Sequence, residues 1–237
     1  MIVSIMQPAY LPWLGFFDRI AASDVFIVLD HVLIDRNSKT KFANRNRIRT
    51  PDGWTWLTVP IRSKGKHGDL LLNEIEVNNE TDWRAKHWRS IEMNYRRAPH
   101  FTDYAARLQV MYETEWPRRG TLNAAGLKIF MEALGLEART MLSSEMDCQE
   151  TKDRLIVELC QKAGATQYIS GPFGRDYLKP EDFQAASIDL LFHDYDHPEY
   201  KQCFDGFEPY MSVIDLLLNH GPQALRMLRR PGSLSPA

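Results

Sequence analysis

The strongest constraint on the fold sits in about the first thirty residues. Ile2 to Met6 is an apolar run closed by Gln7-Pro8, Gly15 to Ala21 is a short helix candidate, and Val25 to Leu29 is a second apolar run ending at Asp30-His31. Apolar runs of this length bounded by punctuating residues read as buried strands. Strand, helix and strand in so short a stretch form a βαβ unit, with parallel strands and a right-handed crossover.

The rest of the chain extends that beginning. Thr40 to Arg49 and Trp54 to Ile61 flank Thr50-Pro51-Asp52-Gly53, and Asp-Gly between strand-like runs predicts a hairpin. Leu70 to Val77 is expected to add a short strand. Asp82 to Arg97, Thr102 to Glu115 and Leu122 to Leu134 place apolar residues at helical spacing, separated by Pro99 and Pro117, with Gly135 closing the last. Strands are then expected at Ala138 to Leu142, Gln167 to Ser170 and Ile188 to Phe192. Helices are expected at Thr151 to Ala163, Glu181 to Ala186 and Ser212 to Asn219. The pattern predicts an α/β fold: a Rossmann-like three-layer domain with a mostly parallel sheet, a basic β-hairpin and an inserted helical subdomain at about 82–135. One domain over 1–228 and a frayed tail over 229–237 complete the expectation.

Composition removes several classes of function. A formal net charge of −2 over 237 residues argues against wholesale nucleic-acid binding. No segment approaches the roughly 18–20 apolar residues that span a bilayer, and Met1 to Met6 lacks the basic n-region of a signal peptide. Cys148, Cys160 and Cys203 make neither a disulfide framework nor a zinc ribbon. A cytoplasmic protein is expected. His193-Asp194-Tyr195-Asp196-His197 lacks a third partner for a metal, so no metal ligands are assigned. No motif requires a cofactor, and the identity of any cofactor stays open.

The candidate site residues follow from position and charge. Gln7 to Asp18 follows the first strand, where α/β sheets place their ligand crevice. Gln7 and Tyr10 are expected to hydrogen-bond a ligand there, Trp13 to stack on a sugar or base, and Asp18 to contact substrate. Between Arg36 and Lys66 lie nine basic residues and one acid, Asp52. Arginine forks match phosphate geometry, so this hairpin is expected to grip a nucleotide diphosphate, with Arg45 and Arg47 on one strand face beside Asn46. A solvated edge charged against strand pairing is the competing account. Asp30 and His31 end the second strand, again at the expected ligand side, and are expected to take a proton from a nucleophile. Ser170-Gly171 follows a later strand and is expected at the same crevice, together with His197, Tyr200 and Gln202.

Four stretches resemble the WbqC-like family: Gln7 to Ile20; Arg45-Asn46-Arg47-Ile48 with Trp56 to Pro60; Tyr168 to Gly171 with Tyr177-Leu178; and His197 to Gln202 with Ser212 to Leu217 and Asn219 to Gly221. The resemblance covers nearly the whole chain. It implies a role in gene clusters for O-antigen and related glycans, attaching an amino acid or other acyl group to an amino sugar. The expected function is therefore a transferase acting on a nucleotide-linked amino sugar, with an acyl or aminoacyl carrier protein as a candidate partner. The layout is also similar to nucleotidyltransferases of the HIGH-motif superfamily, but Pro12-Trp13-Leu14-Gly15 has no histidine where those enzymes bind phosphate. Nucleotidyl transfer or ligation, and a non-catalytic binding module for a carrier protein or glycan enzyme, are the alternatives.

Overall fold

A computed structural model describes residues 1–33, 43–62 and 70–237. Arg36, Lys39, Lys41, Lys64 and Lys66 of the basic segment lie outside the described residues. In chain order the first elements are β1 (Ile2–Met6), α1 (Leu14–Ala21), β2 (Val25–Val28), β3 (Arg45–Thr50), β4 (Gly53–Thr58), β5 (Ile61–Arg62) and β6 (Glu76–Val77). They are followed by α2 (Trp83–Tyr95), α3 (Phe101–Glu113), α4 (Arg119–Leu134), β7 (Arg139–Leu142), α5 (Lys152–Ala163) and β8 (Gln167–Ser170). The chain closes with α6 (Pro180–Ala185), β9 (Asp189–His193), α7 (Val213–His220), α8 (Ala224–Leu228) and β10 (Leu234–Pro236).

The central sheet has the order β10-β9-β8-β1-β2-β7, parallel throughout except for the β10–β9 pair. From β1 the chain builds outward through β2 and β7, then returns to the other side of β1 with β8 and β9. That reversal makes the gap between β1 and β8 the topological switch point of a Rossmann-like α/β sheet. Alternation along β2 explains the three layers. Phe26 and Val28 face a core shared with α1, α3, α4 and α7, while Val25 and Ile27 face a core shared with α5. Helix α1 is buried from Leu14 to Ile20, on all sides rather than along one stripe.

The hairpin β3–β4 forms with the predicted turn, pairing Thr50 with Gly53, whose φ of 117° is open to glycine and strained for other residues. Helices α2 to α4 occupy the predicted insertion, yet Ile91, Leu108, Leu122 and Phe130 join the core of α1 and α7 instead of a separate one. The carboxyl end differs from the expected frayed tail. Leu234–Pro236 adds an antiparallel edge strand to β9, and just before it Asp18 holds the Arg230 amide at 3.1 Å and the Arg229 guanidinium at 3.3 Å.

His87 on α2 is buried beside Tyr10 and Tyr112, and burial pulls its imidazole down to about 4. The unfolded chain takes up that proton near the ordinary value of 6.5. The contribution is therefore intact above pH 6.5, is lost as pH falls toward 4, and levels off below. The full interval corresponds to on the order of 3 kcal/mol. Unfolding midpoints of His87→Gln are expected to fall less steeply than those of the parent between pH 7 and pH 4.5. Parallel pH curves for the two proteins would remove His87 from the account.

Candidate functional site

A cleft of about 610 Å³ crosses the carboxyl ends of β1, β8 and β9, at the switch point. Gln7 and Trp13 come to it from the loop after β1, and Arg19 from α1. Ser170, Gly171 and Tyr177 come from β8 and the segment after it, and His193 and Tyr195 from the end of β9. Nothing from the hairpin β3–β4 or from α2 to α4 lines it.

The loop after β1 is held at four consecutive residues. Tyr10 Oη is 2.9 Å from both His87 Nδ1 and Tyr112 Oη. Asn46 Nδ2 donates to the Leu11 carbonyl, the Val213 amide donates to Pro12, and Trp13 bridges Ser212. Leu11 has a φ of 46°, a left-handed conformation costly for a leucine, and the Asn46 bond at its carbonyl helps to keep it there. Trp13 then lies over the start of α1. A Cβ on Gly15 would come within 2.5 Å of the indole, so glycine permits this packing. The indole meets Tyr195 edge-on at 5.4 Å and Tyr210 at 6.2 Å, making an aromatic wall for the cleft.

Behind that wall, His193 Nε2 lies 2.8 Å from Asp18 Oδ2, with both side chains almost fully buried. Asp18 is an acceptor here, because it also takes the Arg230 amide and pairs with Arg229. Nε2 therefore carries a proton and donates it to the carboxylate. Nδ1 has no hydrogen-bond partner. Nδ1 is itself buried, in a residue that borders the cleft, and an imidazole oriented by a buried carboxylate with its second nitrogen unpartnered is the arrangement of a general base. Asp18 was expected to touch substrate; it stands one residue behind the cleft and orients the histidine.

Of the residues singled out from sequence, Gln7, Trp13, Ser170 and Gly171 meet at the cleft. The others do not. Tyr10 is wholly buried, its hydroxyl used in the core. Asp30 accepts from Ser143 Oγ at 3.0 Å, the Ser144 amide at 2.9 Å and Ser144 Oγ at 2.8 Å, tying the ends of β2 and β7. Ser143 Oγ accepts the Asp30 amide and lies 2.6 Å from His31 Nδ1, so His31 belongs to the same knot. Neither lines the cleft.

Arg45 and Arg47 do share a strand face, but the Arg45 guanidinium lies 4.3 Å from the Trp56 ring and that of Arg47 4.6 Å from Trp54. The tryptophans of β4 use these cations in the hairpin itself. Asn46 is a buried anchor of the Leu11 loop. His197 donates Nδ1–H to the Pro198 carbonyl and accepts the Tyr210 amide at Nε2, so it positions Tyr210 at the cleft's edge; burial holds it below its ordinary value and hence neutral. Tyr200 and Gln202 both donate to the buried Asp215 carboxylate at 2.8 Å.

The sequence reading gave Arg19 no role and weighed His193 and Tyr195 only within a stretch set aside as a metal site. Asp18 and His193 are 175 residues apart, so no spacing rule could pair them. The adjacent Asp194 forms a two-pronged ion pair with Arg175 on the surface. Among the described residues, no group of three or more His, Cys, Asp or Glu is arranged to hold a metal, and no helix is long and apolar enough to cross a membrane.

A model of the WbqC-like protein family matches residues 7–227. The chain belongs to the WbqC-like protein family. An uncharacterised protein of Mycobacterium tuberculosis, Rv1507c, is 38% identical over 229 residues, spanning 96% of this chain and 97% of its own length. No solved structure matches the chain. In this WbqC-like chain the matched range takes in the anchored loop, Asp18 and His193, and stops before β10.

Proposed function

We propose that this WbqC-like protein is a cytoplasmic transferase of bacterial surface-polysaccharide precursor synthesis, moving an acyl or aminoacyl group onto the amine of a nucleotide-linked amino sugar. The observation that carries the reading is the Asp18–His193 pair bordering the cleft, with Nδ1 of His193 unpartnered. An amine must lose a proton as it attacks an acyl carbon. His193 takes that proton while the carbon–nitrogen bond forms and the bond from the acyl carbon to its leaving group breaks. The leaving group departs with the electron pair and recovers the proton from the imidazolium. Trp13, Tyr195 and Tyr210 offer flat faces for the sugar or base. The family resemblance supports the glycan setting.

The test is to incubate the protein with UDP- or dTDP-linked amino sugars and activated acyl donors, including carrier-linked ones, and to follow the sugar by mass spectrometry. A mass gain equal to the acyl group is expected. Absence of transfer across amino sugars and donors, with the protein folded, would sink the reading.

A further inference from the structure

Arg19 is a buried charge that makes no ion pair among the described residues. The residue is 8% exposed, and its Nε is buried without a hydrogen bond. The neighbouring carboxylate, Asp18, is already engaged by His193, Arg229 and the Arg230 amide. A cation withdrawn from water with only a shared counter-charge, Asp18, acting on it is costly, and such a cost persists in a native fold when something else is served by it. The loop after β8 is shaped around this group. A Cβ on Gly171 would stand 2.8 Å from Nη2 and 3.1 Å from Nη1, so glycine leaves the space the guanidinium fills. Gly171 has ordinary backbone angles, which means that room rather than conformational freedom is what glycine provides there.

Arg19, Gly171, Tyr168 and Tyr177 all line the same cleft. We propose that Arg19 forms the floor of an oxyanion subsite that binds the diphosphate of a nucleotide-linked ligand at the gap between β1 and β8. Three observations converge on it: a guanidinium that makes no ion pair among the described residues and whose Nε is unpartnered, a glycine that makes room for it, and a position at the switch point where α/β sheets hold phosphate groups. The Tyr168 and Tyr177 hydroxyls lie close enough to act on the Arg19 charge, and as donors they suit the remaining phosphate oxygens. The exposed rings of Phe173 and Tyr177 at the same cleft offer faces for a base. The nucleotide rests on the transferase reading given above; the phosphate subsite does not.

Calorimetric titration of the full chain with UDP, inorganic pyrophosphate and malonate tests the assignment. The parent is expected to bind UDP and pyrophosphate in competition, and Arg19→Gln to weaken both roughly 10- to 100-fold. Gly171→Ala keeps the arginine but crowds it, and is expected to weaken the same two ligands; it decides the matter if Arg19→Gln fails to fold. Undiminished binding in the folded variants, or no binding of UDP and pyrophosphate by the parent, would overturn the subsite. Malonate displacing pyrophosphate at equal concentration would overturn the diphosphate assignment in favour of a carboxylate ligand. Arginine-dependent pyrophosphate binding without transfer to any amino sugar leaves the subsite standing and removes the transferase. Transfer in which pyrophosphate affinity ignores Arg19 does the reverse.

Discussion

Substitution His193→Gln is expected to lower kcat for the transfer about 100- to 10,000-fold while the protein stays folded, the range that loss of a general base produces. Glutamine keeps a polar group near Asp18 but offers no imidazole to accept and return a proton. KM for the nucleotide sugar should move little, because the ring manages a proton rather than holding the ligand. Asp18→Asn gives the positioning side of the argument. An asparagine can present its NH2 to Nε2, which favours the tautomer with the proton on Nδ1 and removes the free acceptor. Its kcat should fall with an altered pH profile, whereas a merely structural loss would lower activity equally at every pH. Activity within a few-fold of the parent in His193→Gln would dismiss the dyad as the base.

Asp215→Ala is expected to cost about 3–5 kcal/mol of stability, the amount associated with breaking a buried charged network by removing one member. In a chain of this size that corresponds to a drop of about 6–20 °C in the unfolding midpoint. Asp215 is fully buried on α7 and accepts Tyr95 Oη, Tyr200 Oη and Gln202 Nε2, each at 2.8 Å. Burial pushes its carboxyl upward, and these donors pull it part of the way back. Gln202 Oε1 in turn accepts Arg49 Nε at 3.2 Å, and Tyr95 Oη accepts the Arg49 amide. One carboxylate thus ties α2, β3 and α7 together. Alanine leaves the Tyr95 and Tyr200 hydroxyls without their acceptor, Gln202 Nε2 with the Glu208 carbonyl alone, and Arg49 without its nearby negative charge. Differential scanning fluorimetry of the purified variant measures the effect, and a midpoint within 2 °C of the parent would contradict it.

Local pattern made much of the architecture readable in advance. The strand at Gln167–Ser170 matches its expected bounds, and β2, β7, β9 and the longer helices lie within a few residues of theirs. Apolar runs and helical periodicity depend on neighbours in the chain, so they survive in the sequence as short-range signals. The same holds for the Asp-Gly turn of β3–β4 and for Gly135, which ends its helix in the left-handed region. Helix α8 and strand β10 were not anticipated, because each is short and is stabilised by what it packs or pairs against.

The site was legible only in part. Gln7, Trp13, Ser170 and Gly171 were found because they follow strands, and in a parallel sheet every strand delivers its following loop to the same edge. Position after a strand did not separate a ligand residue from a structural one. Asp30 also follows a strand, yet Ser143 and Ser144 absorb its carboxylate; Arg45 and Arg47 carry the charge a phosphate needs, yet Trp54 and Trp56 on the partner strand take them up.

Taken alone, the order of residues settled the βαβ opening, the parallel layering and the family kinship, since each rests on contiguous stretches. The union of Asp18 with His193, the solitary Arg19 beside Gly171, and the withdrawal of Tyr10 into the core were decided by the folded arrangement. Hydrogen bonds and buried charges join groups far apart along the chain, and only packing of the sheet and its covering helices brings those groups within reach.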